Sequence, residues 1–424
     1  MSVRRVATCI VAVACALSFV SAAVGQGKRY LTLTGALQRA LESNPRLTAA
    51  ERDIAMAGGR KLQAGVLPNP EISFEADNVF GTGPYRGTGA AEYTLQLSQL
   101  IELGGKRTAR VAAGSAELEA YRWQREAVRL EILSDAAIAY FSVLAAQRRI
   151  SIYDQQIAAL QRLTPLLQKR VEAGASPPSE VARAQIAADL VRAERERARA
   201  TLAIARLELA TLMGGTVPDF PGVVGDLGRI GRPQPFHVLQ KALQQNPQLI
   251  RFTALRAQRD AELLVARLKP IPDLRAGVAW RHYRETRDDA VRLGISIPIP
   301  LFDQNRGGII EADQQRSKVE AEFAVAVGQL NLTLGRAYEN MIAASREIEI
   351  LRVGAIPNVK QATRSMEEGY EQGRFSLLEL LDMQSAATQT AVRELDALMN
   401  FHVALATIEG LTGLGFRLND GRKK

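Results

Sequence analysis

The sequence predicts a mainly α-helical chain with a small β part, built from a duplicated helix–strand–strand–long helix–helix unit. Three observations predict it. A set of short motifs returns after about 200 residues, long stretches carry apolar residues three and four apart without breakers, and four short segments switch to a period of two. Composition agrees. Aromatic residues are only 5% of the chain while hydrophobic residues are 47%, and abundant Ala, Leu, Arg, Glu and Gln favour long helices over compact mixed cores.

The duplication can be read residue by residue. Ala36-Leu-Gln-Arg-Ala-Leu-Glu-Ser-Asn-Pro-Arg-Leu47 returns as Val238-Leu-Gln-Lys-Ala-Leu-Gln-Gln-Asn-Pro-Gln-Leu249, and Pro68-Asn-Pro70 returns as Pro270-Ile-Pro272, both at an offset of 202. Glu172-Ala-Gly174 matches Glu371-Gln-Gly373, and Leu212-Met-Gly214 matches Leu411-Thr-Gly413, both at 199. Two registers so close over this distance mark one repeated unit. The first repeat is expected at 26–213 and the second at 236–413. The Gly/Pro-rich stretch 214–235 between them reads as an irregular linker, and 414–424 as a tail.

The N-terminus has its own signature. Arg4 and Arg5 precede an apolar run from Val6 to Val20, followed by the small residues Ser21-Ala22-Ala23. This is the layout of a secretory signal, expected over 1–25. Cys9 and Cys15 both fall inside it, and Ala12 stands where a lipid-anchored cysteine at 15 would want Leu, which argues against acylation. The remaining chain has no cysteine, hence neither a disulfide framework nor a thiolate metal site.

Within the first unit, 33–66 is expected as a helix bent at Asn44-Pro45, since proline cannot continue the hydrogen-bond ladder. Strands are expected at about 71–80 and 91–101. A very long helix should span 106–172, where Ile150, Tyr153, Ile157, Leu160, Thr164, Leu167 and Val171 form a 3,4 seam. At roughly 1.5 Å per residue that span makes a rod of about 100 Å. The shorter helices 33–66 and 179–213 are each about half as long, so two end to end match one rod. Such arithmetic fits a cylinder wall better than a compact bundle. The second unit repeats the plan, with strands at about 273–283 and 290–299 and a long helix over 307–372. Its seam is Leu334, Ala337, Met341, Ala344, Ile348, Leu351 and Ala355.

The strand segments each have an apolar and a polar face. Ile72, Phe74 and Ala76 alternate with Glu71, Ser73, Glu75 and Asp77; Tyr93, Leu95 and Leu97 alternate with Thr94, Gln96 and Ser98. Leu274, Ala276, Val278 and Trp280, then Val291, Leu293, Ile295 and Ile297, do the same in the second unit. Amphipathic strands of this length suit a membrane barrel. Backbone in lipid must be fully hydrogen-bonded, so the strands there must close. Four cannot, because known barrels start at about eight. A membrane-spanning form therefore requires several copies, and three leave a wider lumen than two. Glu71, Glu75 and Asp77 are the candidates for lumen charge.

Catalytic chemistry is not visible. His237, His282 and His402 lie far apart, no zinc-ligand spacing occurs, and the Gly-rich run 81–89 lacks the Lys-Ser/Thr of a phosphate loop. No enzyme activity, resident metal or cofactor is expected. The formal charge of +9 is spread among acids along helices, which reads as solvated faces, and an export signal conflicts with nucleic-acid binding.

These residues resemble the TolC-type outer-membrane efflux family over about 30–413. Gln99-Leu-Ile-Glu-Leu-Gly-Gly-Lys-Arg107 and Ile297-Pro-Ile-Pro-Leu-Phe-Asp-Gln-Asn-Arg306 are similar to its CzcC-like heavy-metal branch. The resemblance implies a homotrimer with a 12-stranded outer-membrane β-barrel, continued by a long periplasmic α-helical barrel. It also implies docking to a periplasmic adaptor (membrane fusion) protein, a proton-driven inner-membrane pump of the RND type, and export of divalent cations of the cobalt, zinc and cadmium type. Gly174-Ala-Ser-Pro-Pro-Ser-Glu180 and Gly373-Arg-Phe-Ser-Leu-Leu-Glu379 resemble the family's periplasmic tip turns. Gly174 and Gly373 supply the positive φ of a sharp reversal. Ser176 or Ser376 suits capping of the returning helix, with Glu379 three residues after Ser376. The resemblance further assigns adaptor docking to Gly174, Ser176, Gly373, Arg374 and Ser376. It assigns an aperture gate to Glu379 and Asp382, which share one helix face, together with Tyr370 and Glu180. The family's Arg partner falls at Phe375, with Arg374 displaced by one, which puts the usual closing network in doubt. Two other readings stay open: a duct for drugs, organic solutes or secreted polypeptides, and a soluble periplasmic coiled-coil scaffold.

Overall fold

A computed structural model describes residues 30–415. The expected signal at 1–25 and the tail beyond Gly415 lie outside the described residues. The first repeat runs α1 (Leu33–Ser43), α2 (Pro45–Ala64), β1 (Glu71–Asp77), β2 (Glu92–Ile101), α3 (Lys106–Glu172) and α4 (Ser179–Leu212). The second runs α5 (Phe236–Leu243), α6 (Pro247–Leu268), β3 (Leu274–Tyr283), β4 (Asp288–Ser296), α7 (Arg306–Ile350), α8 (Ile356–Glu371) and α9 (Leu377–Thr412). A five-residue π segment, Leu351–Ala355, joins α7 to α8.

The duplicated Asn-Pro motif has a structural reason. Pro45 and Pro247 sit in the first turns of α2 and α6, where the missing amide costs nothing. Asn44 and Asn246 are buried at the breaks and act in two directions. Each side-chain oxygen accepts from the amide two residues on, Arg46 at 2.9 Å and Gln248 at 2.8 Å. Each side-chain amide donates to the last turn of the repeat's final helix, at the Leu212 and Leu411 carbonyls, both at 2.8 Å. The bend in the first helix is thus stapled to the end of the last.

One continuous core fills the middle of the helical region, where Ile132, Tyr140, Leu209, Leu334 and Phe401 meet. The seam of the second unit is nearly all interior: Leu334, Ala337, Met341, Ala344, Ile348 and Leu351 are buried. In the first unit Ile157, Leu160 and Leu167 are buried while Ile150, Tyr153, Thr164 and Val171 are partly exposed.

Several boundaries differ from expectation. β1 ends at Asp77 rather than near 80, because Asn78 and Phe80 take positive φ and leave the pleat. β3 starts at Leu274, one residue later than expected, and β4 occupies Asp288–Ser296 rather than 290–299, stopping before Pro298 and Pro300. The second long helix is not uniform over 307–372. Pro357 has no amide to offer the Val353 carbonyl, and the ladder widens into the π segment just before it. Pro165, by contrast, is carried inside α3 without ending it.

The stretch 214–235 is irregular but packed. Phe220, Val223 and Leu227 are buried. Gln147 clamps Val223 with its whole amide, donating to the carbonyl and accepting from the N–H at 2.9 Å each. The Tyr140 hydroxyl donates to the Val224 carbonyl, and His402 Nε2 donates to that of Leu227 at 2.9 Å. These side chains tie the connector to α3 and α9.

Replacing Asn246 by Ala strands the Leu411 carbonyl and uncaps α6. The expected loss is about 1–3 kcal/mol of stability, checked by the thermal midpoint of the purified protein in detergent. Asn44→Ala should cost a similar amount, and an unchanged midpoint for both would refute the staple.

Candidate functional site: sheet faces, junction and helical tips

The four strands form one antiparallel sheet in the order β1-β2-β3-β4, so β1 and β4 are bare edges among the described residues. Register aligns the apolar residues across it. Ile72, Leu97, Val278 and Leu293 form one row, and Phe74, Leu95, Trp280 and Val291 the next. Every one of these eight side chains is exposed, up to 81% for Leu293. A soluble protein rarely leaves so large an apolar face uncovered.

Glu71, Glu75 and Asp77 lie together on the opposite, polar face with Thr94, Gln96 and Ser98. Arginines share it, a feature absent from the lumen-charge expectation. Arg275 forms an ion pair with Glu71, and Arg281 pairs with Glu92 at 2.8 Å and reaches Asp77 at 3.7 Å. Glu75 alone of the three acids has no ion pair among the described residues.

The stretch Gln99–Arg107 is the joint between sheet and helices. Gly104 adopts φ 73°, and a Cβ there would come within 2.6 Å of Ile271. Asp273, just before β3, accepts from the Leu103 amide at 3.1 Å and from Lys106 Nζ at 2.9 Å. Arg110 grips Glu102 with both nitrogens at 2.5 and 2.9 Å, and Arg107 donates to the Gly65 carbonyl at 2.7 Å. In the second repeat Asn305 takes φ 53° where the first has Gly105, and donates to the Ala266 carbonyl at 2.8 Å. Ahead of it Ile299, Leu301 and Phe302 are exposed, Phe302 by 98%.

At the far ends of the long helices, Gly174 and Gly373 take φ 69° and 71° and reverse the chain. The two turns match bond for bond: the Ala175 amide donates to the Arg170 carbonyl and the Arg374 amide to that of Gly369, both at 2.8 Å. Ser376 and Glu379 form a complete capping box on α9. Ser176 does not cap α4, whose N-cap is Pro178 without a side-chain bond. Ser176 stands two residues ahead of the N-cap position, from which a hydroxyl caps a helix.

The box changes the reading of the acidic pair. The Glu379 carboxylate accepts from the Ser376 amide at 2.8 Å and hydroxyl at 2.9 Å, and these bonds hold its carboxyl below the usual range. Glu379 is therefore committed to its own helix end. Asp382, one turn on, is exposed and unengaged among the described residues.

Tyr370 and Glu180 do meet: the phenol donates to the carboxylate at 3.5 Å across the two hairpins. Burial, with the Glu180 charge, pushes the Tyr370 hydroxyl up, keeping it protonated as a donor. Tyr370 sits in a small apolar cluster with Leu167, Ala184, Leu377 and Leu380. Arg170 completes the contact. Its guanidinium lies 5.0 Å over the Tyr370 ring and donates to the Tyr370 carbonyl at 3.1 Å. Phe375 folds back onto Gly369, where any Cβ would strike its ring. A cation thus reaches this contact from α3. Sequence reasoning missed Arg170 because one arginine on a long charged helix carries no signal of its own.

No group of three potential metal ligands occurs among the described residues, and no described helix is long and apolar enough to cross a membrane.

Comparison with known proteins places this geometry. The family model for outer membrane efflux proteins matches twice, over residues 36–215 and 238–414. The chain is 30% identical to the cobalt-zinc-cadmium resistance protein CzcC of Cupriavidus metallidurans over 90% of both proteins. It is 24% identical to the nickel-cobalt-cadmium resistance protein NccC of Alcaligenes xylosoxydans xylosoxydans, covering 73% of this chain and 70% of that one. The Campylobacter jejuni CmeC outer membrane channel superposes with a TM-score of 0.77 at 16% identity, over 90% of this chain and 85% of its own. CusC does so at 0.75 and 17%, over 89% and 91%. The repeated helical unit, the exposed amphipathic sheet and these matches together make the chain a member of the outer membrane efflux protein family, a TolC-type channel.

Proposed function

We propose that three copies of this chain form a passive outer-membrane duct for divalent heavy-metal cations. The observation that carries the duct is the sheet: among the described residues, four strands with two bare edges and one uncovered apolar face. In a bilayer those edges need partners, and three copies supply twelve strands, enough for a water-filled lumen. The polar faces then line the pore and the long helices continue it into the periplasm. The cargo class rests on the resistance proteins CzcC, NccC and CnrC. Selection among cations falls to an inner-membrane RND-type pump, proton-driven and joined through a periplasmic adaptor, because the described residues hold no ligand cluster. The adaptor meets the tip turns at Gly174, Ser176, Gly373, Arg374 and Ser376. Asp382 rings the aperture, and the Tyr370–Glu180–Arg170 contact latches it shut.

A second cargo reading has support of its own. The chain is 24% identical over 81% of its length to the pyoverdine export protein OpmQ of Pseudomonas putida. Growth of a deletion strain separates the two. Sensitivity to cadmium, zinc and cobalt with unchanged tolerance of dyes and detergents is expected, and the reverse pattern would overturn the metal assignment.

The latch is checked in planar bilayers. Arg170→Ala with Tyr370→Phe removes contacts worth about 1 kcal/mol, which should raise the open fraction about fivefold. An unchanged conductance trace would remove these residues from the gate.

The same preparation tests the lumen acids. Glu75→Gln should lower cation preference more than Glu71→Gln or Asp77→Asn, whose charges arginines already offset. Equal selectivity in all three variants and the parent would place the polar face away from the permeation path.

A further inference from the structure

The contact between repeats inside one chain carries information about the contact between chains. Within the chain, α9 lies along α3. Ser134 Oγ donates to the Ala406 carbonyl at 3.1 Å, Phe141 stacks on His402 at 4.4 Å, and Arg149 forms an ion pair with Asp396. Here the last helix of the second repeat meets the long helix of the first. The complementary combination is α4, the last helix of the first repeat, with α7 and the π segment of the second.

Those two surfaces are bare among the described residues. On α4, Ile186, Leu190, Arg197 and Ile204 follow one another at steps of four, seven and seven, which sets them on a single stripe. Its three apolar members are exposed, Leu190 by 65%. On the second long helix Leu332, Ile350 and Val353 are exposed, Val353 by 77%. Arg197 finds only Glu194 of its own helix, at 2.7 Å, and Glu349 has no ion pair among the described residues.

The repeat supplies the alignment. Helices α3 and α7 begin at Lys106 and Arg306, each behind a left-handed N-cap, Gly105 and Asn305, so they correspond at an offset of 200. The strand pairings agree. Glu71↔Ser98 in the first hairpin and Arg275↔Ser296 in the second belong to equivalent ladders when the first strand is offset by 202 and the second by 200. The C-terminal ends of α4 and α9 correspond at 199, through Leu212-Met-Gly214 and Leu411-Thr-Gly413. Under these offsets Arg149 maps to Glu349, and Asp396 maps to Arg197. Both charges are reversed and the pair is preserved.

We propose that α4 of one copy packs along α7 and the π segment of the next, with Arg197 opposite Glu349 and Leu190 beside Val353. This deepens, and rests on, the reading of the protein as an oligomeric duct. The reversal gives the junction an identity. Exchanging the partners of the two junctions would set Arg197 against Arg149 and Asp396 against Glu349, like charges in both places. The contact within a chain and the contact between chains therefore cannot substitute for each other, and the ring is built in one order.

The test uses the full chain purified in detergent, with oligomeric state read by light scattering. Arg197→Glu or Glu349→Arg alone should lower the trimerisation constant about tenfold, since three junctions weaken together. The double reversal should restore it. A double variant no better than the single ones, or single variants indistinguishable from the parent, overturns the pairing. A second readout does not depend on charge. Leu190→Cys with Val353→Cys, in a chain whose two cysteines lie at 9 and 15, should oxidise into covalent dimers and trimers. A disulfide closing within single chains also overturns it. A parent protein that is itself monomeric would sink the duct reading, whereas a trimeric parent indifferent to every variant would sink this interface alone.

Discussion

An incomplete sheet governs this molecule. Two of its four strands, β1 and β4, present backbone N–H and C=O groups with no strand partner among the described residues, which also leave its apolar face uncovered. In water either feature would invite aggregation. In a bilayer the apolar face is stabilised and the bare edges become intolerable, so the environment that suits one feature forces a partner on the other. The remaining architecture can be understood as support for that sheet. The helices continue from its strands, and the repeat makes each chain a pair of near-equivalent units.

The support is rigid where sheet meets helix and finely balanced where the helices end. At the joint, Asp273, Lys106, Glu102 and Arg110 form ion pairs partly shielded from water, and Gly104 lets Ile271 approach more closely than any side chain would allow. Partly shielded pairs resist disruption better than exposed ones. At the tips the hairpins touch through the small cluster around Tyr370, one phenol–carboxylate bond and the Arg170 cation. A contact of that size can be undone by the binding energy of a partner.

Sequence and structure agree most where the cause is local. Glycine at 174 and 373 and the Ser376–Glu379 spacing fix turn and cap within a few residues, so the tip hairpin could be read directly. Prolines were harder. Pro165 passes through α3, whereas Pro357 is accompanied by a π segment, a difference that depends on neighbouring packing rather than on the residue. Asn44 and Asn246 were visible only as a repeated motif, since the carbonyls they bind belong to helices about 165 residues away.

The sequence by itself determined the duplicated plan, the long helices and the two-faced strands, because periodicity and turn chemistry act over one or two turns of chain. Only the tertiary structure decided which charges are already spent. Glu71 and Asp77 face arginines from β3, and Arg170 reaches the Tyr370 ring from α3. Those pairings join residues that are distant in the chain and close only after folding. An ion pair depends on separation in space, about which a linear pattern is silent.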